Sequence, residues 1–179
     1  MPIDSLWAPW RMQYLTQLDP NEGFKSPPAE GVPPCFLCDA LRFDENSEEA
    51  RKRLVLLNDA RGMIILNRYP YTNGHLLIAP REHLGDLTDL TPKQRGDIME
   101  LTALAEQTIK LAYNPQGFNM GINLGRWAGA GLPGHLHMHV LPRWSGDTNF
   151  ITTVGAIRII PQALEESYRL LSAALAKVK

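Results

Sequence analysis

Apolar and polar residues alternate in several short stretches of the chain, and a period of two is typical of β-strands. The longest such stretch is 134–144, in which three histidines alternate with three apolar residues before the stretch ends in Pro-Arg-Trp. The three histidines are expected on one face of a sheet and the three apolar residues on the opposite face. Apolar runs at 54–57, 63–67 and 75–80 predict three further strands in an antiparallel meander, the first two forming a hairpin with a slightly long loop at 58–62.

A fifth strand is predicted at 118–124, where Asn119, Gly121 and Asn123 alternate with four apolar residues. Its similar alternation makes it a natural neighbour of the histidine strand. The connection between the two, 125–134, contains four glycines and a proline. Such a loop is flexible enough to bring backbone N–H groups close to an anion.

Two segments instead show the helical period. Thr91 has the character of an N-cap, with Pro92 at the first helical position and Gln94 three residues after the cap, which predicts a helix of about twenty residues ending before Asn114-Pro115. A second helix is predicted to open at Pro161. Its expected buried face consists of Leu164, Tyr168, Leu171, Leu175 and Val178.

The chain is predicted to form one domain with an N-terminal extension. Residues 6–15 carry three large aromatic side chains, which we expect to dock on the body of the protein or on a second subunit. Residues 19–34 are rich in proline and polar residues and are interpreted as a linker. The prediction is therefore an aromatic segment and linker at 1–34 and a domain with a C-terminal extension at 35–179.

Composition and charge narrow the function classes. The 179 residues are 44% hydrophobic and 21% charged, and 18 Lys and Arg oppose 19 Asp and Glu. The chain has no excess of basic residues that would favour binding to nucleic acid or to a membrane surface. Small ligands or a protein partner are therefore favoured. No run is long enough for a signal peptide or a membrane span, which predicts a cytoplasmic location.

The histidine pattern is the strongest chemical signal. A single histidine, such as His75 or His83, is more often a structural or surface residue than a catalytic one. Three on one strand face are different, because a neutral imidazole can attack phosphorus and leave again while its neighbours hold the tautomer and stabilise phosphate charge. His135, His137 and His139 could instead form a three-histidine metal site, although carboxylates that would orient such ligands are absent from the strand.

The two cysteines, Cys35 and Cys38, are separated by two residues, which is the Cys-x-x-Cys spacing of a zinc half-site. Two further ligands would be needed, and if His75 and His137 serve a reaction, His83 and one strand histidine remain. An empty thiol pair is the alternative. A redox pair of the thioredoxin type requires a βαβ setting, which the Pro-rich upstream segment does not provide.

The sequence HLHMHVL at 135–141 resembles the His-φ-His-φ-His-φ-φ motif of the histidine triad (HIT) superfamily, where φ is apolar. The resemblance extends to Asn67, to 74–80 and to 123–125, and covers roughly 35–144. Segments 6–15 and 144–152 are similar to bacterial diadenosine tetraphosphate phosphorylases of the fragile-histidine-triad branch.

This resemblance implies an α+β fold with an antiparallel sheet of about five strands, dimerising through the long helix and a strand edge. It implies that His137 attacks the α-phosphorus of a dinucleoside polyphosphate, that His139 contacts the phosphates and that His75 supports the triad from behind. Asn67 and Asn123 would contact the nucleotide, and no organic cofactor is implied. Members with Cys-x-x-Cys bind a structural zinc, for which the matching residues are Cys35, Cys38, His83 and His135.

The loop before the triad departs from the family. Many members have Gln followed by Ser or Thr there, whereas residues 129–134 read GAGLPG and the loop is about one residue longer. Backbone N–H groups, with Gly129 and Gly131 as candidates, would have to hold a phosphate oxygen or a water. The leading hypothesis is transfer of the nucleotidyl group to inorganic phosphate, with hydrolysis, a non-catalytic nucleotide-binding module and a three-histidine metalloenzyme as alternatives.

Overall fold

The computed structural model describes residues 35–148, 154 and 160–179, in which two short helices and three strands precede a long helix. The elements in chain order are α1 Phe36–Ala40, α2 Glu48–Lys52, β1 Val55–Asp59, β2 Gly62–Leu66, β3 Leu76–Ala79, α3 Pro92–Tyr113, β4 Gly117–Ile122, a 3-10 helix Arg126–Ala128, β5 Met138–Arg143 and α4 Leu164–Val178.

The five strands form one antiparallel sheet in the order β1-β2-β3-β5-β4. The α+β class, the five antiparallel strands, the long helix and the C-terminal helix are all confirmed. The histidine strand β5 lies between β3 and β4, with His139 opposite Leu77 on one side and Gly121 on the other. The predicted neighbour relation between β4 and the histidine strand is therefore correct.

Helices α3 and α4 cover one face of the sheet. Helix α3 begins with the predicted capping box, in which Thr91 accepts from the Gln94 backbone and the Gln94 side chain accepts from the Thr91 backbone. The apolar faces of both helices join the larger core cluster. Its members include Leu57, Ile64, Leu76, Ile78, Ile98, Leu101, Ala105, Ile109, Val140, Leu171 and Leu175.

The opposite face carries the chemistry. Near β1–β3 it is covered by α1 and α2, whose residues pack with Val55, Met63, Ile65 and Leu77 in a second cluster that also contains Cys35. Arg53, the C-cap of α2, forms an ion pair with Asp39 of α1, so the two short helices are held together above the sheet. His139 projects from β5 on this same face, because it is opposite Leu77.

Several predicted boundaries differ from the structure. The hairpin loop is shorter than predicted, because Asn58 and Asp59 continue β1 and pair with Met63 and Gly62. Regular pairing in the histidine strand begins only at Met138. His135 and His137 precede the strand, and between them the Leu136 N–H donates to the Leu84 carbonyl.

The helix predicted to open at Pro161 begins instead at Leu164, with Ala163 as its N-cap. Helices α1 and α2 were not predicted, because five residues are too few to show a helical period. The apolar side of β4 is only partly covered: Met120 is 41% exposed on this edge strand.

The aromatic segment and linker predicted at 1–34 lie outside the described residues, as do residues 149–152 of the resemblance at 144–152. The division into 1–34 and 35–179 stays a prediction. Within the described part of the chain, no helix combines the length and the apolar character that crossing a bilayer demands.

Candidate active site and metal centre

Four of the five histidines line up along one face of the sheet. His139 lies in β5, His137 and His135 precede that strand, and His75 immediately precedes β3. Because β3 and β5 are antiparallel neighbours, His75 meets His139, and their ring centroids are 5.1 Å apart. The rings of His137 and His139 are also 5.1 Å apart.

Backbone groups determine which nitrogen of His75 carries its proton. The backbone N–H of Tyr71 donates to Nδ1 of His75 over 3.2 Å, so Nδ1 must be the acceptor. Nε2 of His75 lies 2.9 Å from Nδ1 of His139 and therefore donates to it. A neutral His139 that accepts at Nδ1 carries its own proton on Nε2.

His75 is kept neutral by its surroundings. Its side chain is completely buried, and this burial, with smaller contributions from His139 and His137, holds its pKa well below the usual value of 6.5. A neutral His75 supports the donor and acceptor order from Tyr71 to His139. The supporting role of His75 stays a prediction, with which its hydrogen bonds to Tyr71 and His139 agree.

His137 is held in the complementary tautomer. Its Nδ1 lies 2.8 Å from the carbonyl oxygen of His135, and a carbonyl can only accept, so Nδ1 carries the proton. Burial lowers the pKa of His137, which favours the neutral ring. In that form Nε2 has an unprotonated lone pair, as a nucleophilic imidazole requires.

Asn67 contacts His75, the histidine that lies behind the triad. Its Oδ1 accepts from the Tyr69 backbone N–H over 3.0 Å, and its Nδ2 lies 3.2 Å from Nδ1 of His75. The predicted contact of Asn67 with a nucleotide stays a prediction, since the amide already contacts His75.

Tyr71 is a site residue that sequence reasoning missed. Besides its backbone bond to His75, its ring stacks near that of His139, with centroids 5.9 Å apart and an interplanar angle of 14°. An aromatic residue four positions before His75, within a polar turn, was the available signal.

The loop after β4 brings Asn123 to the end of the sheet where the triad lies, because Ile122 pairs with Met138. Of the two glycines proposed as phosphate contacts, Gly129 donates its N–H to the Arg126 carbonyl over 3.0 Å. A phosphate contact at Gly129 would need that turn to open. Gly131 lies in the half-buried return of the loop. The contacts of Asn123, Gly129 and Gly131 with substrate stay predictions.

The four predicted zinc ligands come together. The candidate ligand atoms of Cys35, Cys38, His83 and His135 all lie within 4.8 Å of one another. Sγ of Cys38 is 3.2 Å from Nδ1 of His83, and Nδ1 of His135 is 3.3 and 3.4 Å from the two sulfurs. Tetrahedral ligands around one zinc ion lie about 3.3–3.8 Å apart, so the spacing fits.

The chemistry of the donor set also fits a cation. Nε2 of His135 lies 3.0 Å from the Pro80 carbonyl, so it carries the proton and Nδ1 presents a lone pair to both sulfurs. One lone pair can accept from only one thiol, whereas a metal ion would satisfy both sulfurs. Burial raises the pKa of Cys35 to about 12 and lowers that of His135 to about 4, so a divalent cation would have to supply the charge that stabilises a thiolate here.

Comparison with known proteins agrees with this arrangement. Residues 48–146 match the HIT domain family. The AP-4-A phosphorylase of Mycobacterium tuberculosis is 40% identical over 174 residues, which cover 95% of this chain and 83% of that protein.

Solved structures show the same fold. A zinc-bound histidine triad family protein from Mycobacterium smegmatis has 30% identity and a TM-score of 0.63, covering 80% of this chain and 94% of that chain. The diadenosine triphosphate hydrolase of Plasmodium falciparum, at 21% identity and a TM-score of 0.59 over 79% and 95% of the two chains, is similar in fold.

Proposed function

The chain belongs to the histidine triad family, and on that premise we propose that it is an enzyme that cleaves dinucleoside polyphosphates, diadenosine tetraphosphate in particular. It transfers a nucleotidyl group through His137 to inorganic phosphate. The observation that carries the proposal is the tautomer order: His137 has a lone pair on Nε2 while His139, through His75, carries its proton on Nε2. The AP-4-A phosphorylase of M. tuberculosis supports this choice of substrate.

In the first step, Nε2 of His137 attacks the α-phosphorus and forms a P–N bond. The bond from that phosphorus to the bridging oxygen breaks, and ATP leaves from diadenosine tetraphosphate. The Nε2–H of His139 donates to the phosphate oxygens, where negative charge increases. The carbonyl of His135 stabilises the positive charge that His137 acquires, because it accepts from Nδ1–H.

In the second step, an oxygen of inorganic phosphate attacks the same phosphorus, and the P–N bond breaks. The product is ADP, and the electron pair returns to Nε2 of His137. The sum is diadenosine tetraphosphate plus phosphate giving ADP plus ATP. We assign substrate contacts to Asn67 and Asn123 and, through its backbone, to Gly131, whereas the Gly129 N–H stays on the Arg126 carbonyl.

Product analysis with and without phosphate tests this function. Incubation with diadenosine tetraphosphate and phosphate is expected to give equal amounts of ADP and ATP. AMP with ATP, whether or not phosphate is added, would contradict phosphorolysis and identify a hydrolase instead. Tight nucleotide binding without any turnover would reject the enzyme in favour of a binding module.

We further propose that Cys35, Cys38, His83 and His135 hold one structural zinc ion. The ion would tie α1 to the segment that enters β5, and His135 would link it to the triad because its carbonyl accepts from His137. The zinc-bound M. smegmatis protein supports this choice of metal. A three-histidine catalytic metal is not favoured, because Nε2 of His135 is engaged with Pro80 and its Nδ1 faces the cysteines.

The proposed assembly is a cytoplasmic homodimer built on the exposed side of α3 and on β4. Strand β4 ends the sheet, and large apolar side chains on these elements are exposed, Met99 by 57%, Leu111 by 51% and Met120 by 41%. A reducing compartment would keep the cysteines available to the metal. A mass in solution equal to one chain would contradict the dimer.

A further inference from the structure

Trp127 is the most exposed large apolar residue in the described part of the chain. Its relative exposure is 101%, against 68% for Val154 and 57% for Met99. Trp144, by comparison, is half-buried and packs edge-on against Tyr113 with ring centroids 6.3 Å apart. An indole offered completely to solvent has a large planar surface available to a ligand.

The backbone around Trp127 forms a defined turn. Residues 126–128 form the 3-10 helix, and the glycines on both sides, Gly125 and Gly129, have positive φ angles of 75° and 85°. Gly129 N–H donates to the Arg126 carbonyl, and Ala130 N–H donates to the Gly125 carbonyl. These bonds close the turn, so it presents Arg126 and Trp127 outward.

The turn follows the end of β4 that pairs with the histidine strand. It begins just after β4, where Ile122 pairs with Met138 and Gly121 pairs with His139. Trp127 is five residues beyond Ile122, so their Cα atoms are at most about 18 Å apart, and the closed turn shortens that distance.

The return of the loop is anchored on the same side of the molecule. Ala130 is buried, Leu132 packs on the cluster that contains Cys35, and Gly134 lies against His83. The loop therefore crosses the triad end of the sheet, and its tip is held from both sides.

We propose that Trp127 stacks on the nucleobase of the leaving half of the substrate, with Arg126 beside it for a distal phosphate. This inference rests on the proposed function, because a dinucleoside polyphosphate has a second base several phosphates away from the reacting phosphorus. The indole suits it, since every base has an aromatic face and stacking needs no base-specific hydrogen bond. The guanidinium of Arg126 matches the charge of the intervening phosphates.

Two substrates that differ only in the second nucleoside test the proposal. Diadenosine tetraphosphate and adenosine 5′-tetraphosphate carry the same reacting nucleotide and the same phosphates, and only the former has a second base. Trp127→Ala is expected to lower kcat/KM for diadenosine tetraphosphate roughly 5- to 30-fold, in the lower part of the range for base stacking because one face of the indole stays open to water. Its kcat/KM for adenosine 5′-tetraphosphate should equal that of the native protein.

The conservative variant separates stacking from loop damage. Trp127→Phe retains an aromatic face and should keep most of the preference for the dinucleotide, whereas both variants should match the native protein on adenosine 5′-tetraphosphate. Equal losses on the two substrates, or no loss on either, would overturn the proposal while the proposed function stands. A native protein that cleaves neither substrate would overturn the proposed function, and the second-base site with it.

Discussion

At the residue scale, three chemically identical imidazoles differ because different backbone groups hold them. The Tyr71 N–H makes Nδ1 of His75 an acceptor, the His135 carbonyl makes Nδ1 of His137 a donor, and the Pro80 carbonyl turns Nδ1 of His135 toward the cysteines. A sequence can show that histidines share a face, but it cannot show these carbonyl and N–H partners. Tyr71 was missed for that reason: its backbone, rather than its side-chain type, makes the bond to His75.

Burial of His75 predicts a loss of stability in acid. Its pKa in the folded protein is well below 6.5, through burial first and then the neighbouring His139 and His137, while the unfolded chain titrates normally. Below about pH 6.5 the unfolded chain therefore binds more protons than the folded protein, and the free energy of unfolding falls as pH falls.

Denaturant unfolding at two pH values measures this contribution. Between about pH 7.5 and about pH 5.5, the native protein should lose roughly 1.4 kcal/mol more than His75→Gln, whose amide does not titrate. Parallel losses in the two proteins would show that His75 is not the buried neutral group inferred from its contacts.

At the element scale, local signals predicted some elements well and others not at all. Helix α3 was predictable because its capping box and its period both lie in neighbouring residues. Helix α1 was not, because its five residues show no helical period and are held by contacts distant in sequence, such as Cys38 with His83. The start of β5 was placed too early, since Leu136 bonds to Leu84 outside the sheet. Alternation of side chains alone cannot distinguish an extended segment from a paired strand.

Close packing between the loop before β5 and the proposed zinc ligand His83 can be tested at Gly134. A Cβ added there would lie 2.9 Å from Nε2 of His83, so Gly134→Ala is expected to displace the imidazole. Zinc affinity, measured by competition with a chromogenic chelator, should fall about 10- to 100-fold, as for loss of a group that orients a ligand.

Gly117→Ala is the matched control, because a Cβ at Gly117 would meet no atom within 4 Å. It should retain about one zinc ion per chain, the content expected of the native protein, and Cys35→Ser should define the level of a broken site. If Gly134→Ala held zinc as tightly as Gly117→Ala, the contact with His83 would not position the ligand.

At the scale of the whole molecule, the sheet separates packing from chemistry. One face is filled by α3 and α4, and the other carries the triad and the candidate metal ligands. His135 joins these two groups, because its ring faces the cysteines and its carbonyl accepts from His137. The alternation in 134–144 predicted this division between the two faces. The cluster of Cys35, Cys38, His83 and His135 was predicted only from the resemblance to the histidine triad family. Spacing alone left the fourth ligand open among the strand histidines.

Trapping of the nucleotidyl-histidine intermediate tests the proposed reaction most directly. The protein is mixed with diadenosine tetraphosphate labelled at the α-phosphorus, without inorganic phosphate, quenched at times shorter than one turnover and analysed by peptide mapping. Acid-labile label on His137 is expected, absent from His137→Ala, present in Trp127→Phe, and released as ADP when phosphate is added before the quench. Turnover by the native protein with no label on His137, or label that persists in His137→Ala, would contradict nucleophilic attack by His137.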